Sequence, residues 1–157
     1  MASFIFNGWK GGLAAGTYNW DDDGGVASKT VKVALSEIVM VKADEEDADD
    51  LADLTTNWEF DGSYARTVVT NLTVKADTDT NNRAELDADN TTISAVGADA
   101  GGQTCTGVLL YIDYAGSTTA SGDATAIPIA FFDITPFAGN GSDILLTWNS
   151  VGLITLT

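Results

Sequence analysis

Apolar residues along this chain recur mostly at every second position, in short runs separated by Gly, Asp, Asn and Thr. Residues 144–157 (ILLTWNSVGLITLT) set the pattern: Ile144, Leu146 and Trp148 fall on one side, Leu145, Thr147 and Asn149 on the other. Period-2 alternation with a Trp on the apolar side predicts a strand lining a core. Asn149, Ser150 and Gly152 interrupt it with turn or bulge chemistry, and residues 153–156 resume a strand that tucks the end of the chain into a sheet.

The same reading extends along the rest of the sequence. Residues 30–42 (TVKVALSEIVMVK) are strand-like, with Val31, Val33 and Leu35 on one face; past Ser36 and Glu37 the apolar set spreads to Ile38, Val39, Met40 and Val41, which predicts either a bulge or burial on both faces. Residues 43–54 (ADEEDADDLADL) place Leu51 and Leu54 three apart among helix formers, predicting a short helix from about Glu46 with its acidic end at the favourable pole of the helix dipole. Trp58, Glu59 and Phe60 form a strand running into a turn at residues 61–64. Residues 66–76 put Val68, Leu72 and Val74 inward, residues 83–88 put Ala84, Leu86 and Ala88 inward, and a polar turn at 77–82 joins the two as a hairpin. Residues 97–107 form a loop holding Cys105, and residues 108–114 (VLLYIDY) are apolar enough for a central strand. Residues 115–125 are small and polar, suiting an exposed tip. Residues 127–134 form a strand with Pro128 near its start, and 137–141 turn into the final pair. Roughly seven to nine short strands with turns every 8–12 residues or so predict an all-β protein, an antiparallel β-sandwich or jelly-roll-like barrel with at most one or two short helices.

The first sixteen residues read in more than one way. Phe6, Trp9 and Leu13 share a helical face, yet Gly8, Gly11, Gly12 and Gly16 each cost about 1 kcal/mol relative to Ala in a helix. The segment is either a short, weak helix or an apolar arm. Its crowded aromatics, Phe4, Phe6 and Trp9, either cap the domain's own core or dock on a neighbouring subunit.

Composition adds exclusions. At 157 residues the chain is most simply one domain, and 45% hydrophobic content rules out a disordered chain. Seven Lys and Arg against 23 Asp and Glu give a net charge of −16, the wrong field for nucleic acid or an anionic membrane. There is no His, and the single Cys105 cannot form an intramolecular disulfide. The N-terminus has neither a basic leader nor a long apolar region, and no run approaches the roughly 20 apolar residues of a membrane span. The expectation is a soluble protein made in the cytosol.

Candidate chemistry is sparse. Asp77, Asp79, Asn81 and Asn82 alternate oxygen ligands suited to Ca²⁺, but the Gly of an EF-hand's sixth position is missing and Ala88 stands where its twelfth would carry an acid, so a polar turn is the better account. The acidic run 44–50 reads as a solvated face. Carboxylate pairs of the glycosidase kind carry no weight among so many acids. Cys105 has no visible base, and neither Gly11-Gly12 nor Gly101-Gly102 belongs to a phosphate-binding motif. No catalytic, cofactor-binding or metal residue is singled out, and no enzyme activity or cofactor is expected.

Several segments, in order along nearly the whole chain, carry a resemblance. They are the aromatic-rich start with Asn7 and Gly16; Val31-Lys32-Val33-Ala34-Leu35; Glu59-Phe60-Asp61-Gly62-Ser63-Tyr64-Ala65-Arg66; residues 84–92 (AELDADNTT); the apolar strand reaching Tyr111; Ile129-Ala130-Phe131-Phe132-Asp133; and residues 147–156. Together they resemble a family of small β-rich virion proteins of tailed bacteriophages, whose members are described as head decoration (cement) proteins or as tail and fibre components. The acidic segment 44–53 and the longer loop 97–107 depart from that family. The resemblance implies a virion protein on the outer surface of a phage head. Its expected partners are the major capsid protein and its own copies, as a homotrimer on a local threefold axis. In that reading Phe4, Phe6 and Trp9 are the anchoring contact. The alternative it implies is a tail or fibre module that binds host sugars through exposed aromatics such as Trp58 or Tyr64.

Overall fold

The apolar run 108–112 lies in the middle strand of the largest sheet, and the rest of the molecule is built to cover that sheet on both sides. The structure is a computed structural model, and it describes residues 3–15, 30–75, 84–113, 120–148 and 154–156. The elements are β1 (Phe4–Ile5), α1 (Asn7–Ala14), β2 (Thr30–Ser36), α2 (Lys42–Glu45), β3 (Thr67–Val68), β4 (Thr73–Lys75), β5 (Ala84–Asp87), β6 (Thr91–Val96), β7 (Cys105–Asp113), β8 (Ala126–Phe137), β9 (Ser142–Leu146) and β10 (Ile154–Leu156). Single 3₁₀ segments add Leu51–Asp53 and Ala120–Thr125. The expected all-β, antiparallel, sandwich-like architecture is what forms.

Five strands make the main sheet in the order β1-β8-β7-β2-β3, with every pairing antiparallel. A three-stranded sheet β10-β5-β4 and the pair β6-β9 form the second layer. Alternation divides the main sheet cleanly. Val31, Val33, Leu35, Val108, Leu110 and Ile112 point into a first core shared with Leu86, Ile93 and Val96 of the second layer. Ala34, Leu109, Tyr111 and Phe131 point into a second core on the opposite face. No strand covers that face among the described residues; the segment after β2 does, with Met40, Ala48, Leu51, Leu54 and Trp58. Trp58 and Trp148 therefore serve different cores.

Several local signals act against the plain period-2 reading. The strand expected through residue 42 stops at Ser36, whose hydroxyl donates to Trp58 O at 2.9 Å and accepts from the Ile38 amide at 3.3 Å, drawing the chain out of the ladder. Beyond it Met40 is buried and Ile38 packs half-buried against the same core, while Val39 and Val41 are exposed. The helix expected from Glu46 is replaced by α2 and the turn Leu51–Asp53, because the Asp50 carboxylate caps the Ala52 and Asp53 amides and starts a new turn there. Leu51 and Leu54 nevertheless face inward together. Residues 58–60 form no strand of their own; they lie along β2 through the Ser36–Glu59 bridge and the bond from Phe60 N–H to Leu35 O.

Val68 is exposed and Val69 buried, the reverse of the expected face, and Asn71 at φ 54° then redirects the chain, so residues 67–75 split into two strands in different sheets. The β4–β5 hairpin forms as expected, with Val74 opposite Leu86; its turn at 77–82 lies outside the described residues, as does the turn at 21–25. β6 was not anticipated at all. β7 begins at Cys105, which is fully buried instead of sitting in the loop. Pro128 lies opposite Tyr111 where the β7–β8 register shifts, a bulge that tolerates its missing N–H. In β9, Ile144 and Leu146 pack on the first core with Trp148 beyond them, and Leu145 is exposed, as the alternation predicts.

The N-terminal segment crosses the edge of the main sheet. β1 pairs with Ala130 and Phe131, and the Phe6 amide donates to Ile129 O at 3.0 Å. Phe4 and Phe6 enter the second core while Trp9, one turn into α1, enters the first. Of the two readings of these aromatics, the structure realises the core-capping one. With 6%, 0% and 0% exposure they offer no area to a neighbouring subunit, which corrects their assignment as an anchoring contact. Phe6→Ala is expected to cost about 3–5 kcal/mol in urea denaturation, and Leu145→Ala to stay within about 0.5 kcal/mol.

Candidate functional site

The residues that gather charge and concavity in one place come from the turn 59–66. Gly62 makes that turn possible. A Cβ there would stand 2.1 Å from the Phe60 ring and 2.5 Å from the Gly97 carbonyl, so only glycine lets the chain double back. The Gly97 amide then donates to Ser63 O at 2.8 Å, fixing the turn to the end of β6. This geometry returns Tyr64 and Arg66 toward Glu59.

Arg66 is the centre of the cluster. Its Nε and Nη2 donate to the two oxygens of Glu59 at 2.9 and 2.5 Å, and its Nη1 and Nη2 donate to those of Asp123 at 2.6 and 3.2 Å. The guanidinium thus forks onto two carboxylates, with its side chain only 4% exposed. It also sits 5.6 Å from the ring centroids of both Trp58 and Tyr111. Burial works against its charge, but the hydrogen bonds and charges of Glu59 and Asp123 outweigh burial and hold it protonated well above the ordinary arginine value. The Tyr64 hydroxyl donates to Glu59 Oε1 at 2.7 Å and accepts from the Leu35 amide at 3.0 Å. Burial first, and the Glu59 charge second, keep this phenol protonated far above its usual range.

Above the cluster opens a cleft of about 560 Å³, lined by Glu37, Asn57, Trp58, Glu59, Asp61, Asp99, Gly101, Gln103 and Asp123. Five carboxylates face it, and two of them, Glu59 and Asp123, are already committed to Arg66. The arrangement can hold a cationic or hydrogen-bonding group. Among the described residues no three Asp, Glu or Cys side chains converge as a metal site would require.

The sequence expectations meet this geometry unevenly. Glu59 and Arg66, to which the sequence assigned no chemical role, and Tyr64, expected only as an exposed aromatic for sugars, become the core of the cluster. Asp123 comes from the stretch expected to be an exposed polar tip; it is 5% exposed, and no local signal in the sequence links it to Arg66. Trp58 is buried at 5% and the Tyr64 hydroxyl is tied to Glu59, so neither stands out as an exposed sugar platform. The acidic run 44–50 is solvated in part only: Glu45 is buried and accepts from the Thr55 amide and hydroxyl, and Asp47 accepts from the Asn7 amide group at 2.7 Å. The oxygen-rich segment 77–82 lies outside the described residues. Cys105 is sealed in the first core, and burial pushes its thiol up to about 11.

No family model, no curated protein and no solved structure matches this chain.

Arg66→Ala would leave Glu59 and Asp123 facing each other without a cation, and a loss of roughly 3–5 kcal/mol is expected in chemical denaturation. Arg66→Lys should recover only part of it, because an ammonium cannot fork onto two carboxylates. Cys105 should stay silent to an aromatic disulfide reagent at pH 8 in the native protein and titrate fully in denaturant. A thiol with a folded pKa above its unfolded value stabilises the fold in full below the unfolded value. That contribution should fall as pH rises from the ordinary thiol range through about 11, read as a declining denaturation midpoint.

Proposed function

We propose that this chain is a structural protein of a phage virion, a head decoration protein that binds the outer surface of the shell and stabilises it by bridging neighbouring capsid subunits, as homotrimers. The carrying observation is the string Glu59–Phe60–Asp61–Gly62–Ser63–Tyr64–Ala65–Arg66. It is the acidic–Gly–Tyr–Arg part of the ordered resemblance, and here it builds the buried cluster that ties the turn to β2 and to the 3₁₀ segment Ala120–Thr125. A cement protein needs a rigid body more than a reactive one, and a cross-tied turn of this kind supplies rigidity.

With Phe4, Phe6 and Trp9 inside the fold, recognition of the shell passes in this reading to polar surface. The net charge of −16 makes basic residues of the major capsid protein the natural counterpart and keeps the protein off packaged DNA. The decisive experiment is co-sedimentation with capsids that lack the protein. Saturable binding at many copies per shell, weakening with added salt and raising the shell's melting temperature, is the expected outcome. No binding to shells, together with recovery of a few copies from purified tails, would replace this reading with the tail or fibre one.

A further inference from the structure

Lys32 and Asp113 lie on adjacent strands of the main sheet, and neither belongs to the Arg66 cluster. Lys32 stands directly opposite Tyr111, and Asp113 opposite Thr30, so the two side chains emerge on the same face, one step apart across the β2–β7 ladder. Lys32 Nζ is 2.6 Å from Asp113 Oδ2, with side-chain exposures of 9% and 0%. The register that holds them is the longest continuous pairing in β2, from Thr30 to Ser36.

We propose that Lys32 and Asp113 condense to an intramolecular amide, an isopeptide bond that staples β2 to β7. Passage of one Lys32 ammonium proton across the 2.6 Å hydrogen bond to the Asp113 carboxylate gives the amine and the acid that react, in contact and away from solvent. A desolvated lysine amine is a nucleophile, and here it is held against its electrophile by two paired strands, so the encounter costs no further ordering. The Nζ lone pair attacks Asp113 Cγ, the N–C bond forms, and the C–O bond to one carboxyl oxygen breaks. That oxygen leaves as water, carrying the acid's proton and one proton from the amine. The second amine proton stays on the amide nitrogen. No oxidant, metal or cofactor enters the balance. Water released at this buried position is lost to solvent, which favours the amide.

The proposal is independent of a virion location, and its test needs no partner. Intact-mass spectrometry of the full chain, purified folded and then denatured, is expected to give a mass lower by one water than the sequence requires. Proteolysis should yield one branched peptide joining the segment around Lys32 to the segment around Asp113, with trypsin unable to cut after Lys32. Lys32→Arg and Asp113→Ala should each restore the full mass. The wild-type measurement stands alone if those variants fail to fold. A full mass after prolonged incubation of folded protein would overturn the proposal. So would a missing water that maps to a linear peptide, as an aspartyl succinimide would, and returns on mild alkaline treatment.

Discussion

A sheet buried on both faces cannot be finished by one more layer. β2 and β7 have apolar residues at odd and even positions alike, so each face of the main sheet demands its own cover. The second β-layer closes one side. The other is closed by an acidic, mostly non-regular segment, which places Met40, Ala48, Leu51, Leu54 and Trp58 inward and, apart from the buried Glu45, leaves its carboxylates at least partly exposed. The N-terminal segment seals the sheet's edge by sending aromatics to both sides. Nearly every departure from simple alternation serves this double closure: the stop at Ser36, the Asp50 cap and the turn at Gly62 each redirect the chain toward a face that would otherwise meet water.

Double burial also decides where the cations go. The chain has only seven Lys and Arg for 23 acids, and among the described residues two of these cations lie inside: Arg66 beneath the cleft and Lys32 beside Asp113. Each stands against carboxyl groups that the fold has largely taken out of water, Arg66 against two and Lys32 against one.

What could be read from the sequence follows from the range of each interaction. The central strand, the β4–β5 hairpin and the inward set Ile144, Leu146 and Trp148 rest on local periodicity, and they were legible. Single residues defeated that periodicity where a side chain competed for the backbone, as at Ser36, or where a left-handed residue reset the face, as at Asn71. β6 was hidden because its inward residues Thr91, Ile93 and Val96 break step at a bulge between Ile93 and Val96. The candidate site was half legible. Glu59, Tyr64 and Arg66 are near neighbours in a distinctive string, whereas Asp123 is brought in from a remote segment by tertiary packing alone. The aromatics at positions 4, 6 and 9 show the opposite failure. Their crowding was visible, but a crowded aromatic start looks the same whether it caps its own core or another's.

The pairing of β2 with β7 has a kinetic side. Ser36 faces Gly107 and Thr30 faces Asp113, so the central strand and one of its two neighbours come from distant parts of the chain, and everything between them must be looped out before they meet. Loop closure of that kind is slow, and the contacts that repay it form late. On the ribosome, β2 emerges long before its partner exists and waits as an apolar strand with unpaired edges. The carboxylates that follow it, at residues 44–53, are well placed to keep that nascent segment from associating with its copies until β7 arrives.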